Sequence, residues 1–284
     1  MACEREDKLT AAYLRFVVIF VFIVLLAGAG LVQADETGVA GNKIMNSYKD
    51  AVVKVEVVMQ SKILMNGNEI MNKEFKDEIT GTVLDPSGLV LVSLTTIDPS
   101  KLVDSLLRGM KGDKKMEVKL DIKSVKVILP DETEIDAKIV LRDKDLDMAF
   151  IRPKQKIPKP IISVKMDEQS NPHIMDEIII LNRLNKVVNH VPSVVSGRIS
   201  AIVNKPQTCY IPEVEGNVSE DIGTPAFTLD GKLAGVVLMR VQTGEGEEGL
   251  SGMNNRMNAV IVIMPVAEIV EDSKQAVDET KVKE

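Results

Sequence analysis

The chain has 284 residues, enough for one or two domains, and its 45% apolar and 27% charged residues are typical of a globular protein. The formal net charge of -7 argues against nucleic-acid binding, which needs clustered Lys and Arg. Aromatic residues make up only 3% and Trp is absent, which argues against base-stacking surfaces and leaves Val, Ile, Leu and Met to build the core.

The first element of the chain is an uninterrupted apolar run of seventeen residues, Phe16 to Val32. Arg15 precedes the run, and the residues up to Ala34 fit the site that a signal peptidase reads. We predict a signal peptide over residues 1–34. An uncleaved membrane anchor is the alternative, because a membrane span of about 20 residues is only slightly longer than the run. Either reading predicts an exported protein, located in a periplasm or at the cell envelope, secreted or membrane-anchored.

From about residue 44 onward, β-branched and half-alternating runs recur with turn sequences between them, which predicts many short strands. Two of the turns are the Asp-Pro-Ser-Gly sequence at 85–88 and the Asp-Gly pair at 230–231. The predicted strands are 51–59, 78–85, 89–94, 124–130, 133–142, 147–152, 176–182, 193–203, 208–214, 224–230, 232–242 and 257–264.

A proline-rich segment, residues 153–160, is the predicted linker, because proline cannot continue a sheet. It divides the body into two six-strand halves, 44–152 and 161–275. The second half ends in a predicted helix that continues as a charged tail at 276–284, and residues 98–113 are predicted to form an amphipathic helix in the first half. The predicted fold class is therefore all-β, with two six-stranded barrels and a C-terminal helix.

The cysteines and histidines are too few and too scattered for a metal site. Cys3 and Cys209 would lie on opposite sides of a leader cleavage, and no Cys/His spacing suggests zinc. His173 and His190 lie in loop-like sequence and are expected to be solvated. We predict no metal and no cofactor.

The order of these elements matches the chymotrypsin-like double barrel, and blocks of the sequence resemble the HtrA/Deg-type trypsin-like serine proteases. Residues 81–98, GTVLDPSGLVLVSLTTID, resemble the family's Gly-Phe-Val-Ile-Asp-x-x-Gly-x-Ile-Leu-Thr-Asn-x-His-Val stretch, and residues 129–154 resemble its next hairpin and Asp-Leu-Ala-Val-Leu-Lys. Residues 197–203 and 210–236 resemble the block that contains Gly-Asn-Ser-Gly-Gly-Pro. Residues 258–272 resemble the closing strand and helix. The resemblance leaves no segment for the PDZ domain that often follows.

The resemblance implies a catalytic triad, from which this chain departs. The family's histidine position falls on Thr95, its aspartate position on Asp147, which matches, and its serine position on Ile222. The oxyanion-hole glycine position is Glu220, where a side chain hinders the backbone turn and a carboxylate repels the developing negative charge. A threonine hydroxyl is no proton acceptor near neutral pH, and isoleucine has no nucleophilic atom.

We therefore predict a pseudoprotease with no catalytic residues, which binds a protein or peptide ligand rather than cutting it. Without a histidine to orient, Asp147 is expected to have a structural role and to accept hydrogen bonds from Thr95, Thr96 or nearby backbone N–H groups.

Two other readings stay open from the sequence alone. One is an active serine endopeptidase of the trypsin-like family with a displaced catalytic constellation. The side chains available for it are Ser93, Ser219, Ser251, His173 and His190. The other is an unrelated β-rich surface protein. A membrane tether through residues 16–32 and a homo-oligomer also stay open, whereas a nucleic-acid partner is not expected.

Overall fold

The computed structural model of the protein describes residues 35–100, 103, 116–216, 218–242 and 258–278. The predicted leader, nearly all of the predicted tail and most of the predicted helix at 98–113 lie outside these residues. Within the described ranges, no helix has both the length and the apolar character needed to cross a membrane. The body of the protein is the unit that begins at Thr37.

Twelve antiparallel strands close into two six-stranded barrels, which confirms the predicted all-β, chymotrypsin-like double barrel. The first barrel has the strand order β1-β2-β3-β6-β5-β4, and the second has the order β10-β11-β12-β9-β8-β7. The strands of the first barrel are β1 (Val52–Met65), β2 (Asn68–Val83), β3 (Val90–Ser93), β4 (Met116–Ile128), β5 (Glu134–Asp143) and β6 (Met148–Pro153). Those of the second are β7 (Glu177–Arg183), β8 (Pro192–Val203), β9 (Cys209–Val214), β10 (Pro225–Thr228), β11 (Leu233–Gln242) and β12 (Asn258–Pro265).

Three α-helices that accompany the barrels have both ends within the described residues, and Ser100 and Val103, in the predicted helix at 98–113, are also helical. Helix α1 (Glu36–Tyr48) precedes the first strand and is not predicted from the sequence, because its two glycines and weak apolar periodicity give no clear helical signal. Helix α2 (Leu94–Ile97) is a single turn directly after β3. Helix α3 (Val266–Asp278) is the predicted C-terminal helix.

Three strands continue beyond the first barrel as an extension that the sequence analysis missed. The extension comprises residues 59–65 of β1, 68–76 of β2 and 116–124 of β4, with β1 in the middle. Strands β1 and β2 turn at Asn66-Gly67, whose positive φ values of 52° and 83° fit a hairpin turn. An Asn-Gly pair is a strong hairpin signal, so the sequence did indicate this turn.

Alternation along the strands divides the apolar side chains among three cores. Each barrel has its own interior, for example around Val55 and Val92 in the first and Ile180 and Ile263 in the second. The third and largest core lies between the barrels and includes residues from both of them, together with residues of α1 and α3. In this core Tyr48 stacks on Phe227, with ring centroids 5.0 Å apart. The two barrels are therefore packed against each other through a buried apolar interface.

Candidate functional site

Asp147 lies at the centre of the candidate site and accepts four hydrogen bonds. The backbone N–H and the hydroxyl of Thr95 donate to Oδ1 at 2.7 and 2.6 Å. The hydroxyl of Ser93 donates to Oδ2 at 2.5 Å, and the backbone N–H of Met239 donates to the same oxygen at 3.1 Å. The carboxylate therefore has donors on both oxygens, Thr95 and a backbone N–H among them as expected, whereas Thr96 bonds elsewhere, to the carbonyl of Ser93.

Local backbone geometry brings these groups together. Ser93 ends β3, Thr95 lies in the single turn of α2, and Asp147 lies in the turn between β5 and β6 with a φ of 60°. The N–H of Leu94 donates to the Asp147 carbonyl at 2.9 Å, which fixes this turn against the helix. Because Met239 belongs to β11, the fourth hydrogen bond joins the first barrel to the second.

Asp147 is 6% exposed, and its environment acts on its pKa in two directions. Burial raises the pKa, and the hydrogen bonds from Ser93, Thr95 and Met239 oppose that shift without cancelling it. Thr95 takes the place where the family resemblance puts a histidine. Its hydroxyl is used as a donor to the carboxylate, so Asp147 has no proton acceptor to orient in this position.

The segment that resembles a nucleophile loop packs against the first barrel. A short 3-10 helix (Val218–Asp221) leads into Ile222 and Gly223. A Cβ atom added at Gly223 would lie 2.1 Å from the Thr80 carbonyl oxygen, and the Gly223 carbonyl accepts a hydrogen bond from the Thr82 hydroxyl at 2.8 Å. Ile222 is only 7% exposed, and its apolar side chain lies where the sequence resemblance would put a serine.

The two halves of the site meet along one edge of β11. Val237 exchanges backbone hydrogen bonds with Gly223 and Thr224 at 2.7 and 2.8 Å, and Met239 donates to Asp147. Residues two apart on a strand are separated by roughly 6.6 Å. The chain thus holds Asp147 and the Ile222 loop side by side at the junction of the barrels. Among the described hydrogen bonds, none joins the 220–224 loop to Asp147 directly.

A cleft of about 870 Å³ opens beside Asp147. Its apolar lining comes mainly from the second barrel, and its polar lining includes charges of both signs from both barrels. The apolar lining residues include Val203, Cys209, Ile211, Met239, Val260 and Val262. The charged lining residues are Asp98, Lys144, Asp145, Asp147 and Arg240. Strand β11 pairs with β10 only as far as Val236, so its edge faces this region beyond Met239 without a partner strand in the described chain.

Neither histidine lines the cleft. The side chain of His173 is 89% exposed, with Asp176 3.5 Å away, and the ring of His190 lies 2.7 Å from the Glu78 carboxylate. Ser93 is fully buried and bonded to Asp147, while Ser251 and the side chain of Ser219 lie outside the described residues. In the part of the chain that the structure describes, no cluster of His, Cys, Asp or Glu could hold a metal ion.

A buried polar seam between the barrels was not predicted from the sequence. The Lys54 ammonium donates to the Thr80 hydroxyl at 2.9 Å, and burial lowers the pKa of Lys54. The Arg183 guanidinium donates to the carbonyls of Val52 and Lys49 at 2.9 and 2.6 Å. Charged residues within otherwise β-branched runs were the available signal, since a buried charge requires partners.

The buried carboxyl group of Asp221, directly before Ile222, gives the stability of the protein a testable dependence on pH. It is 4% exposed, and burial raises its pKa to about 6, an effect that the Asn182 hydrogen bond opposes and the Glu220 carboxylate reinforces. An unfolded aspartate has a pKa of about 3.9, so folding takes up a proton between these values and stability falls as the pH rises through that window. We expect Asp221→Asn to match the wild type at pH 4 and to be about 1–2 kcal/mol more stable at pH 7.5.

Urea unfolding at both pH values measures this difference. The amide oxygen of asparagine can still accept the hydrogen bond that Asn182 donates at 2.8 Å, so only the charge is removed. Glu220→Gln, at the exposed neighbouring residue, is the control and should change the pH dependence only slightly. The prediction would be contradicted if the wild type became more stable relative to Asp221→Asn, in free energy of unfolding, between pH 4 and pH 7.5.

The site combines a hydrogen-bonded carboxylate, the hydroxyl groups that donate to it, and a cleft whose lining is partly apolar and partly charged. Nucleophilic catalysis needs a nucleophile and a nearby side chain that accepts its proton, and at these positions Ile222 has no nucleophilic atom and Thr95 is no proton acceptor. What the arrangement can do is hold an extended ligand against apolar side chains and a strand edge. No protein-family model matches this chain, and no curated protein matches it either.

Proposed function

We propose that this protein is an exported pseudoprotease related to the HtrA/Deg-type trypsin-like serine proteases, and that it binds an extended peptide or a protein segment at the cell envelope. The observation that carries the proposal is the hydrogen bonding of Asp147. Its carboxylate is engaged by Thr95, Ser93 and Met239, in the position where a protease would orient a histidine.

Loss of catalysis follows from several changes that act together. A trypsin-like mechanism needs a serine oxygen, an imidazole and a backbone that can hold the oxyanion. Here the corresponding residues are Ile222, Thr95 and Glu220, and removing even one triad member forfeits most of the rate. The expected turnover by this mechanism is therefore zero.

Ligand binding is supported by the cleft beside Asp147. Its volume of about 870 Å³ accommodates several residues of an extended chain. The apolar side chains of Met239 and Val260 offer contacts for apolar ligand residues, and the edge of β11 beyond Met239, which has no partner strand among the described residues, offers backbone groups for pairing. We expect preference for extended segments with apolar side chains.

A fluorophosphonate probe tests the absence of an activated serine. We expect no labelling of the protein under conditions that label an active trypsin-like protease completely. The probe reacts only with a serine whose proton is accepted by a neighbouring base, and the described cleft contains no such pair. Stoichiometric labelling, located by mass spectrometry on Ser219 or Ser251, would instead support the active endopeptidase with a displaced constellation.

Peptide binding can be tested with a variant that places a charge in the cleft. Val260 lines the cleft and is 47% exposed, whereas Val187 is 90% exposed and is not among the lining residues. We expect Val260→Glu to weaken binding of extended apolar peptides by at least about tenfold, because a carboxylate would be desolvated against the ligand. Val187→Glu is the matched control.

Fluorescence anisotropy with labelled hexapeptides, apolar and charged, provides the measurement. Equal affinity of wild type, Val260→Glu and Val187→Glu for every peptide would contradict binding in this cleft. Absence of any peptide binding would remove the proposal that the cleft is a peptide site.

A further inference from the structure

We propose that β4 is a self-association edge, through which two copies of this chain pair their three-stranded extensions about a two-fold axis. In the extension, β4 forms one outer strand, and it pairs with β5 only from Val125 to Ile128. Residues 116–124 therefore have β1 on one side and, within the described chain, no strand on the other. Unpaired strand edges of this length are templates for pairing with another chain.

The sequence of this edge alternates strictly between two faces. Val118, Leu120 and Ile122 are half-buried and share the face of Ile63 and Phe75 on the neighbouring strands. The opposite face carries exposed charged side chains. These are Glu117, Lys119, Asp121 and Lys123. A partner pairing with β4 would thus meet an apolar face on one side and a charged face on the other.

The charges identify a second copy of this strand as the occupant. If β4 pairs antiparallel with itself about Leu120, Lys119 lies opposite Asp121 and Glu117 lies opposite Lys123, each pair occurring twice by symmetry. On the other face, Val118 then lies opposite Ile122. Every charged pair in this register is of opposite sign, and Val118, Leu120 and Ile122 all meet apolar residues, which is the requirement for a self-complementary two-fold interface.

The other outer strand of the extension is less available. At β2 the Asp77 carboxylate accepts a hydrogen bond from the Glu78 N–H at 2.9 Å, and the Glu78 carboxylate contacts His190 of the second barrel at 2.7 Å. These contacts occupy polar groups at the base of that edge. Pairing through β4 instead produces a continuous six-stranded sheet in which the apolar faces of both extensions lie on the same side.

The proposed strand register can be tested by analytical ultracentrifugation of full-length charge variants in mild detergent. We expect the wild type to dimerise with rising concentration, and Lys119→Asp to weaken dimerisation by at least about tenfold, because two attractive pairs become repulsive. Asp121→Lys should weaken it similarly. The double variant Lys119→Asp/Asp121→Lys restores opposite charges and should restore the dimer, and an equimolar mixture of the two single variants should form mixed dimers.

Disulfide cross-linking gives an independent result. In a chain carrying Cys3→Ala, a cysteine at Leu120 should meet its symmetry mate and form a covalent dimer on oxidation with diamide, since Cys209 is buried. A cysteine at Phe75, on β2, is the matched control and should remain monomeric. A wild type that stays monomeric, dimers that ignore the charge changes, or cross-linking through Phe75→Cys rather than Leu120→Cys would each overturn the proposal.

Discussion

Replacing Asp147 with asparagine is expected to lower the free energy of unfolding by about 2–3 kcal/mol. The wild-type carboxylate accepts from two backbone N–H groups and two hydroxyls. An asparagine amide has one acceptor oxygen, so its NH2 group would face either the Thr95 or the Met239 N–H, neither of which can become an acceptor. One buried donor would therefore lose its partner.

Urea unfolding at pH 7 measures the loss, and Asp145→Asn provides the control. Asp145 lies two residues away in the same turn, and it is exposed, so the same chemical change should alter stability by less than about 0.5 kcal/mol. If Asp147→Asn proved as stable as the wild type at every pH, the structural role of this carboxylate would be refuted. This measurement tests the structural role of Asp147 by itself, because urea unfolding does not depend on any enzymatic activity.

The strand pattern could be predicted because the signal is repeated along the chain. Runs such as 232–242 are rich in apolar and β-branched residues, and their two faces are buried in different cores, with Val236 in one and Val237 in the other. The extension was missed for the opposite reason. Residues 68–76 are largely exposed and polar on both faces, so only pairing with β1, and not burial, makes them a strand.

The candidate site was only partly predictable. The family resemblance selected Thr95 and Asp147, which the structure brings into direct contact. It could not indicate that Ser93 and Met239 complete the hydrogen bonding, because Met239 is far away in sequence and its contribution comes from the backbone. Backbone donors leave no trace in residue type, and they become visible only when both barrels are in place.

The second large effect on stability is expected at Gly223, a glycine that lies in the segment resembling a nucleophile loop. Gly223→Ala should lower the free energy of unfolding by about 3 kcal/mol, from a φ of +88° that alanine adopts poorly and from a Cβ atom placed 2.1 Å from the Thr80 carbonyl oxygen. That oxygen belongs to the β2 backbone, so the overlap can be relieved only by moving the loop away from the first barrel.

Gly231→Ala separates the two contributions, because Gly231 has nearly the same φ, +86°, and no atom within 4 Å of an added Cβ. Gly231→Ala should lower the free energy of unfolding by only about 1 kcal/mol, because it introduces the unfavourable φ but no close contact. Urea unfolding of both variants measures the expected difference of about 2 kcal/mol, which comes from the contact with Thr80. Equal losses would mean that the close approach to Thr80 carries no energy. A larger loss at Gly223 would show that a glycine beside Ile222 lets the loop lie directly against the neighbouring barrel.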